Sequence, residues 1–148
     1  HGIGRRQRQM CIRDRPDTAL NKWFYKSYMD EYGVFPAQPP YRMVQGLMGL
    51  KMAIEKAMEK NGGKKPNKDE IAAAFKGLEF DSPGGLVQMK LGDGHQAIQP
   101  HAIGTTAKDK DGNITVTDIV RYKASCVNPP NGIKAVDWIN AGFPGADC

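Results

Sequence analysis

The stretch PYRMVQGLMGLKMAIEKAMEKNGG, residues 40–63, decides the fold class. Val44, Leu47, Met48, Lys51, Ile54, Ala57 and Met58 recur at three- and four-residue steps, the period of an α-helix. Proline is tolerated at a helix start because its missing N–H would have no intrahelical partner, so the helix is expected to open at Pro40 or Tyr41. Gly62-Gly63 is expected to close it. Met43, Leu50 and Met52 widen the apolar surface beyond one stripe, which predicts burial on more than one side. Methionines at this spacing read as core filler in preference to a soft-metal site.

Upstream, Asp17 or Thr18 is placed to cap a first helix. Leu20, Trp23, Phe24, Ser27, Tyr28, Glu31 and Tyr32 give that helix a wide aromatic face, and Gly33 ends it. Residues 34–40, with three prolines, form an extended connector. Downstream, Asn67 and Glu70 make a capping-box pair before a short third helix with Ile71, Ala74, Phe75 and Leu78 facing inward. Residues 86–91 read as a strand broken at Gly92-Asp93-Gly94. A second extended run, 97–106, contains Pro100 and so belongs at a sheet edge or a bulge. Asp111-Gly112 turns the chain into residues 113–123, where apolar and polar positions alternate as in a hairpin strand.

The chain therefore reads as α+β: helices over 17–78, strands over 85–123 and a loop-rich tail over 124–148. It lacks the Val/Ile/Leu runs that central parallel strands need. The second helix is too apolar to be covered by one hairpin, which implies a sheet outside this sequence. An exposed apolar patch is expected on it around Met48 and Met52.

The net charge of +5 invites a nucleic-acid reading, but its distribution opposes one. Arg5, Arg6, Arg8, Arg13 and Arg15 against Asp14 give residues 1–15 a charge of +4, leaving +1 for the rest. That head, with Met10-Cys11-Ile12-Arg13-Asp14, resembles a translated sequencing-library adapter. It is set apart as non-native, with few tertiary contacts expected; the alternative is a basic arm that binds phosphates. No run of 18 apolar residues marks a membrane span.

The sequence holds no catalytic constellation, and an enzyme is the least favoured reading. In Asp109-Lys110-Asp111-Gly112-Asn113 the glycine stands fourth, not sixth, and a strand follows, so a hairpin turn accounts for it better than a calcium loop. His95 and His101 have no Cys or carboxylate cluster to complete a zinc shell. Ser27, Ser82 and Ser125 lack a nucleophile elbow. No metal or cofactor is expected. With Cys11 set aside, Cys126 and Cys148 bracket the loop-rich tail, which points to a disulfide and an oxidising compartment. Two unlinked thiols are the alternative.

Four stretches in order resemble the branched-chain amino acid and amide group of type I periplasmic binding proteins, the Leu/Ile/Val-binding-protein-like solute-binding components of ABC importers. They are Phe24-x-x-x-Tyr28-x-x-x-Tyr32-Gly33-x-x-Pro36, the helix end Ala53-Ile54-Glu55-Lys56-Ala57, residues 73–85, and Gly92-Asp93-Gly94-His95-Gln96. The last is similar to the family's Asp-His-Gln turn with a glycine inserted. The resemblance covers the family's last third. It implies that this chain is the C-terminal portion of a two-lobe α/β protein in which an amino acid or amide is held between the lobes, a permease is the partner, and the location is periplasmic. It also implies a pocket aromatic near the start of the second helix, for which Tyr41 is the nearest match. The family's Tyr-Asp-Ala turn falls here on Val44-Gln45-Gly46, and packing is an equal use for Tyr41. Two other classes remain open: a ligand-sensing receptor ectodomain of the same fold, which would be joined to a membrane helix or kinase-like domain, and a free-standing α+β interaction domain, which would fold alone.

Overall fold

Thr18 opens the first helix, α1 (Ala19–Tyr32), by accepting the Asn21 N–H on its hydroxyl at 3.1 Å. Gly33 closes it in the left-handed region, its N–H returning to the Met29 carbonyl. The computed structural model describes residues 16–112 and 114–148, so the head lies outside the described residues. After α1 come α2 (Gln38–Lys60), α3 (Lys68–Phe75), β1 (Glu79–Ser82), β2 (Gly85–Leu91), β3 (Gln96–Ile98), β4 (His101–Lys108), β5 (Ile114–Tyr122), α4 (Ala124–Val127) and α5 (Ala135–Asn140). The order is α+β, as expected. Helix α2 starts two or three residues earlier than predicted, and α3 carries the predicted box, with Asn67 and Glu70 bonded reciprocally.

The chain divides into two compact units. One takes in residues up to Gln45, Ser82–Gly85 and Ala102–Arg121; the other holds Gly46–Asp81, Leu86–His101 and Tyr122–Cys148. The core of the second unit joins Ala53 and Ala57 of α2, Ala74 of α3, Leu78, Phe80 of β1 and Val87 of β2. Strand β1 is an element that the sequence reading lacked; its four residues bury Phe80 and Ser82 alternately before Pro83. Strands β1, β2 and β3 lie in that order in one sheet, β2 and β3 antiparallel with Gln88 opposite Ile98 and a bulge between Met89 and Leu91.

In the first unit β4 and β5 form a two-stranded sheet around the predicted turn, where the Gly112 N–H meets the Asp109 carbonyl at 3.0 Å. The extended run expected over 97–106 is split between β3 and β4 at Gln99-Pro100, where proline has no N–H to give a ladder. Gly104 permits the close pairing: a Cβ there would collide with Cγ1 of Val116. The alternation expected along β5 breaks at Asp118, whose φ of 52° lies in the left-handed region.

Helix α2 reverses one sequence expectation. Its buried row is Tyr41, Gln45, Gly49, Ala53 and Ala57, mostly small residues at four-residue steps. Met48 and Met52, expected in an exposed patch, are partly buried against the second unit's core. The exposed large residues are instead Met43, Leu47, Leu50 and Met58. Gly49 gives the reason. The Phe80 ring lies so close to the helix backbone that a Cβ at position 49 would stand 2.8 Å from its Cζ. Gly49, Ala53 and Ala57 face the close neighbour, while Met43, Leu47, Leu50 and Met58 face away.

Candidate functional site

Tyr41 sits in the first turn of α2, directly after Pro39-Pro40. Its side chain is 1% exposed and meets the Phe24 ring edge-on, with centroids 4.7 Å apart. Its hydroxyl donates to Asn21 Oδ1 at 2.8 Å, and Asn21 in turn donates its amide N–H to the Pro16 carbonyl at 3.0 Å. The residue carried as the ligand contact is thus engaged in the joint between α1 and α2.

Beside that joint, a groove of about 420 Å³ runs between α1 and the start of α2. Trp23, Tyr28, Tyr32, Pro40 and Met43 line it, with Ser27 and Glu31 as its polar contributors. The aromatic face of α1 predicted from spacing is present, but only Phe24 of it is buried; Trp23 is 59% and Tyr32 62% exposed.

Gln45 is a residue whose role the sequence reading missed. Buried, it donates from Nε2 to Ser82 Oγ at 2.8 Å, and the Ser82 hydroxyl donates to the Gly85 carbonyl at 2.6 Å. Arg42 donates to the other end of the amide at 3.3 Å. A buried amide is retained only when it is bonded, and here it ties α2 to the β1–β2 turn. A polar residue four positions from Tyr41 on the same helix row was the available signal.

The Gly92-Asp93-Gly94-His95 turn packs on the end of α3. The Gly77 N–H donates to the Gly94 carbonyl at 3.2 Å, and a Cβ on Gly94 would stand 2.9 Å from that nitrogen, so the inserted glycine is a fitting requirement. Asp93 pairs with Lys76 at 2.7 Å, and that hydrogen bond and charge hold its carboxyl below the usual range. His95 and His101 are both exposed, and among the described residues no three His, Cys, Asp or Glu side chains gather in a metal-holding group.

In the tail Cys126 and Cys148 are joined, with Cα atoms 4.9 Å apart. The segment they close is less irregular than predicted, since it contains α5. Trp138 of α5 is buried, donates its indole N–H to the Pro144 carbonyl at 3.0 Å and takes the Phe143 ring edge-on. Ile139, one position on, is exposed. No described helix is long and apolar enough to cross a membrane.

No protein-family model matches the chain, and no curated protein matches it. Solved structures do. A solute-binding protein of an ABC transporter from Rhodopseudomonas palustris BisB5, in complex with 3,4-dihydroxybenzoic acid, superposes with a TM-score of 0.55 at 25% identity over 73% of this chain. An ABC-type branched-chain amino acid transporter protein from R. palustris CGA009 gives 0.61 at 21% over 74%, and a leucine-binding protein from Thermotoga maritima gives 0.50 at 20% over 70%. The chain carries a portion of the solute-binding-protein fold of ABC transporters. These neighbours belong to the Leu/Ile/Val-binding-protein-like group, with the type I two-lobe architecture that the four sequence stretches resemble. The chain spans 28% of the length of each of the two R. palustris proteins and 27% of the T. maritima protein. Within this part of the solute-binding-protein fold, the Val44-Gln45-Gly46 departure acquires a use: Gln45 anchors α2.

Proposed function

We propose that residues 16–148 are the C-terminal portion of a periplasmic solute-binding protein that delivers an amino acid or amide to the permease of an ABC importer, and that residues 1–15 are foreign to it. The observation that carries this reading is the joint likeness in fold and span to solute-binding proteins, of which the chain covers about a quarter. The disulfide is consistent with an oxidising compartment. The neighbours bind ligands and are not enzymes by name, which supports a carrier role without catalysis.

A second ligand class has one specific observation in its favour: the R. palustris BisB5 protein, at 25% identity, is complexed with an aromatic acid. Recovering the sequence upstream of residue 16 should reveal the rest of the protein, with permease and ATPase reading frames nearby. Calorimetry on that longer protein against leucine, short amides and hydroxybenzoates then separates the two classes. Heat from the hydroxybenzoates alone would reject the amino-acid assignment. The 148-residue chain should bind none of them, because one cleft wall is missing; a micromolar interaction with it would sink the portion reading.

Tyr41 stays in this proposal as the pocket aromatic implied by resemblance, in competition with its use in the α1–α2 joint. Tyr41→Phe separates the two. Loss of the bond to Asn21 should lower stability by about 1 kcal/mol in chemical denaturation. A loss of ligand affinity in the longer protein at unchanged stability is the outcome that assigns Tyr41 to the pocket.

A further inference from the structure

We infer that Asn131 is a site of spontaneous deamidation in the folded protein, an inference that stands apart from the transport reading. The chain has four Asn-Gly or Asp-Gly pairs: Asn61-Gly62, Asp93-Gly94, Asp111-Gly112 and Asn131-Gly132. In such a pair the glycine nitrogen can attack the side-chain carbonyl carbon of the residue before it, since glycine has no Cβ to hinder the approach. The fold restrains three of the four. The Gly62 N–H donates to the Glu59 carbonyl at 3.3 Å, the Gly94 N–H to the Leu91 carbonyl at 3.1 Å and the Gly112 N–H to the Asp109 carbonyl at 3.0 Å. Asn61 is held further, because its own N–H bonds to the Ala57 carbonyl and the Gly63 N–H returns to Met58 at 2.8 Å. Asp93 also accepts a hydrogen bond from Lys76 at 2.7 Å, which favours the ionised carboxylate, a poor electrophile.

Gly132 differs. Among the described residues neither its N–H nor the exposed Asn131 side chain has a hydrogen-bond partner, and a Cβ at position 132 would meet nothing within 4 Å. The pair occupies the middle of a turn closed by the Ile133 N–H and the Pro130 carbonyl at 3.2 Å, with Gly132 at φ 84°, the type II pattern. The peptide plane between Asn131 and Gly132 therefore carries no bond of its own and can rotate until the glycine nitrogen faces Asn131 Cγ. Loss of the Gly132 amide proton to solvent base lets that nitrogen bond to Cγ, and the Cγ–Nδ2 bond breaks to release ammonia. Water then opens the succinimide ring. Opening at Cγ leaves aspartate, whereas opening at the main-chain carbonyl carbon leaves an isoaspartyl link that runs through Cβ. Either product places a new carboxylate in the segment closed by Cys126 and Cys148. The isoaspartyl form also lengthens the main chain inside the turn.

The test is incubation of the oxidised 148-residue chain at mildly alkaline pH, followed by digestion and mass spectrometry of the peptides that carry Asn61 and Asn131. Asn128, close by, is an internal blank, because Pro129 has no N–H with which to attack. A hydrogen bond that must open before reaction slows it by about five- to tenfold, so the Asn131 amide should convert to acid faster than the Asn61 amide by about that factor. Two products of equal mass, aspartyl and isoaspartyl, should separate by chromatography. In urea with the disulfide reduced, the two rates should converge, since no fold is left to restrain Asn61. Equal rates in the folded chain, or a faster Asn61, overturn the inference. An Asn131 that keeps its amide when folded and loses it in urea also overturns it, because the fold then protects the site. A preference for Asn131 that persists unchanged in urea does so as well, because the neighbouring sequence and not the fold then makes the choice.

Discussion

Breaking the Cys126–Cys148 bond should destabilise the tail unit by about 3 kcal/mol in the loop-entropy account, because the cross-link closes a span of 22 residues. Little else fixes the last residue. Trp138 and Phe143 pack on each other, and Trp138 bonds to Pro144, but all three lie inside the closed segment. The contact beside the disulfide is the exposed pair of Lys123 with Asp147 at 2.8 Å, and exposed pairs contribute little. That pair is also acid-sensitive. The hydrogen bond and charge of Lys123 hold the Asp147 carboxyl below its usual range. Its contribution is therefore present above the unfolded carboxylate value of about 3.9 and fades as pH falls through the lower folded value. The check is urea denaturation of oxidised and reduced protein carrying Trp23→Phe, so that emission reports Trp138 alone, with alkylation confirming that neither Cys126 nor Cys148 reacts before reduction. Coincident transitions would mean that packing alone holds the tail.

The second large effect is expected at Phe80. Phe80→Ala should cost about 3–5 kcal/mol, since the ring is buried in the second unit's core against Gly49 of α2. The glycine makes the test sharper. In the parent chain Gly49→Ala gains about 1 kcal/mol of helix propensity. Its methyl would nevertheless stand 2.8 Å from Phe80 Cζ and 3.5 Å from Phe75 Cε1. Overpacking of this kind costs about 1–3 kcal/mol, so the net change should be destabilising or near zero. With Phe80 truncated the methyl enters vacated space, and Gly49→Ala should become stabilising. Such a sign reversal in a double-mutant cycle is the signature of direct contact. Additive effects would place the ring elsewhere.

Local chemistry was legible wherever a few adjacent residues settle it. Thr18 and Gly33 bound α1, Asn67 and Glu70 start α3, and Asp111-Gly112 turn the hairpin, each through bonds spanning four residues or fewer. The two cysteines marked their own pairing once Cys11 was set aside. The order of short stretches carried the resemblance to the solute-binding proteins, and the superposition on them agrees.

The rest depended on partners far along the chain. Strand β1 is too short to announce itself, and exists as a strand because β2 lies beside it. Gln45 looked like a departure from a motif until Ser82, 37 residues away, supplied its hydrogen bond. Tyr41 could be matched to a pocket by position, while its placement against Phe24 and Asn21 required the α1–α2 joint to form first.

Periodicity alone determined that residues 40–63 make a helix too apolar for the chain around it. Only the tertiary structure decided that Gly49, Ala53 and Ala57 are buried while Met43, Leu47, Leu50 and Met58 are open. Helical period states which residues share a face, whereas burial is set by how closely the opposing surface approaches. Here the Phe80 ring comes so near the backbone that only glycine fits without something shifting.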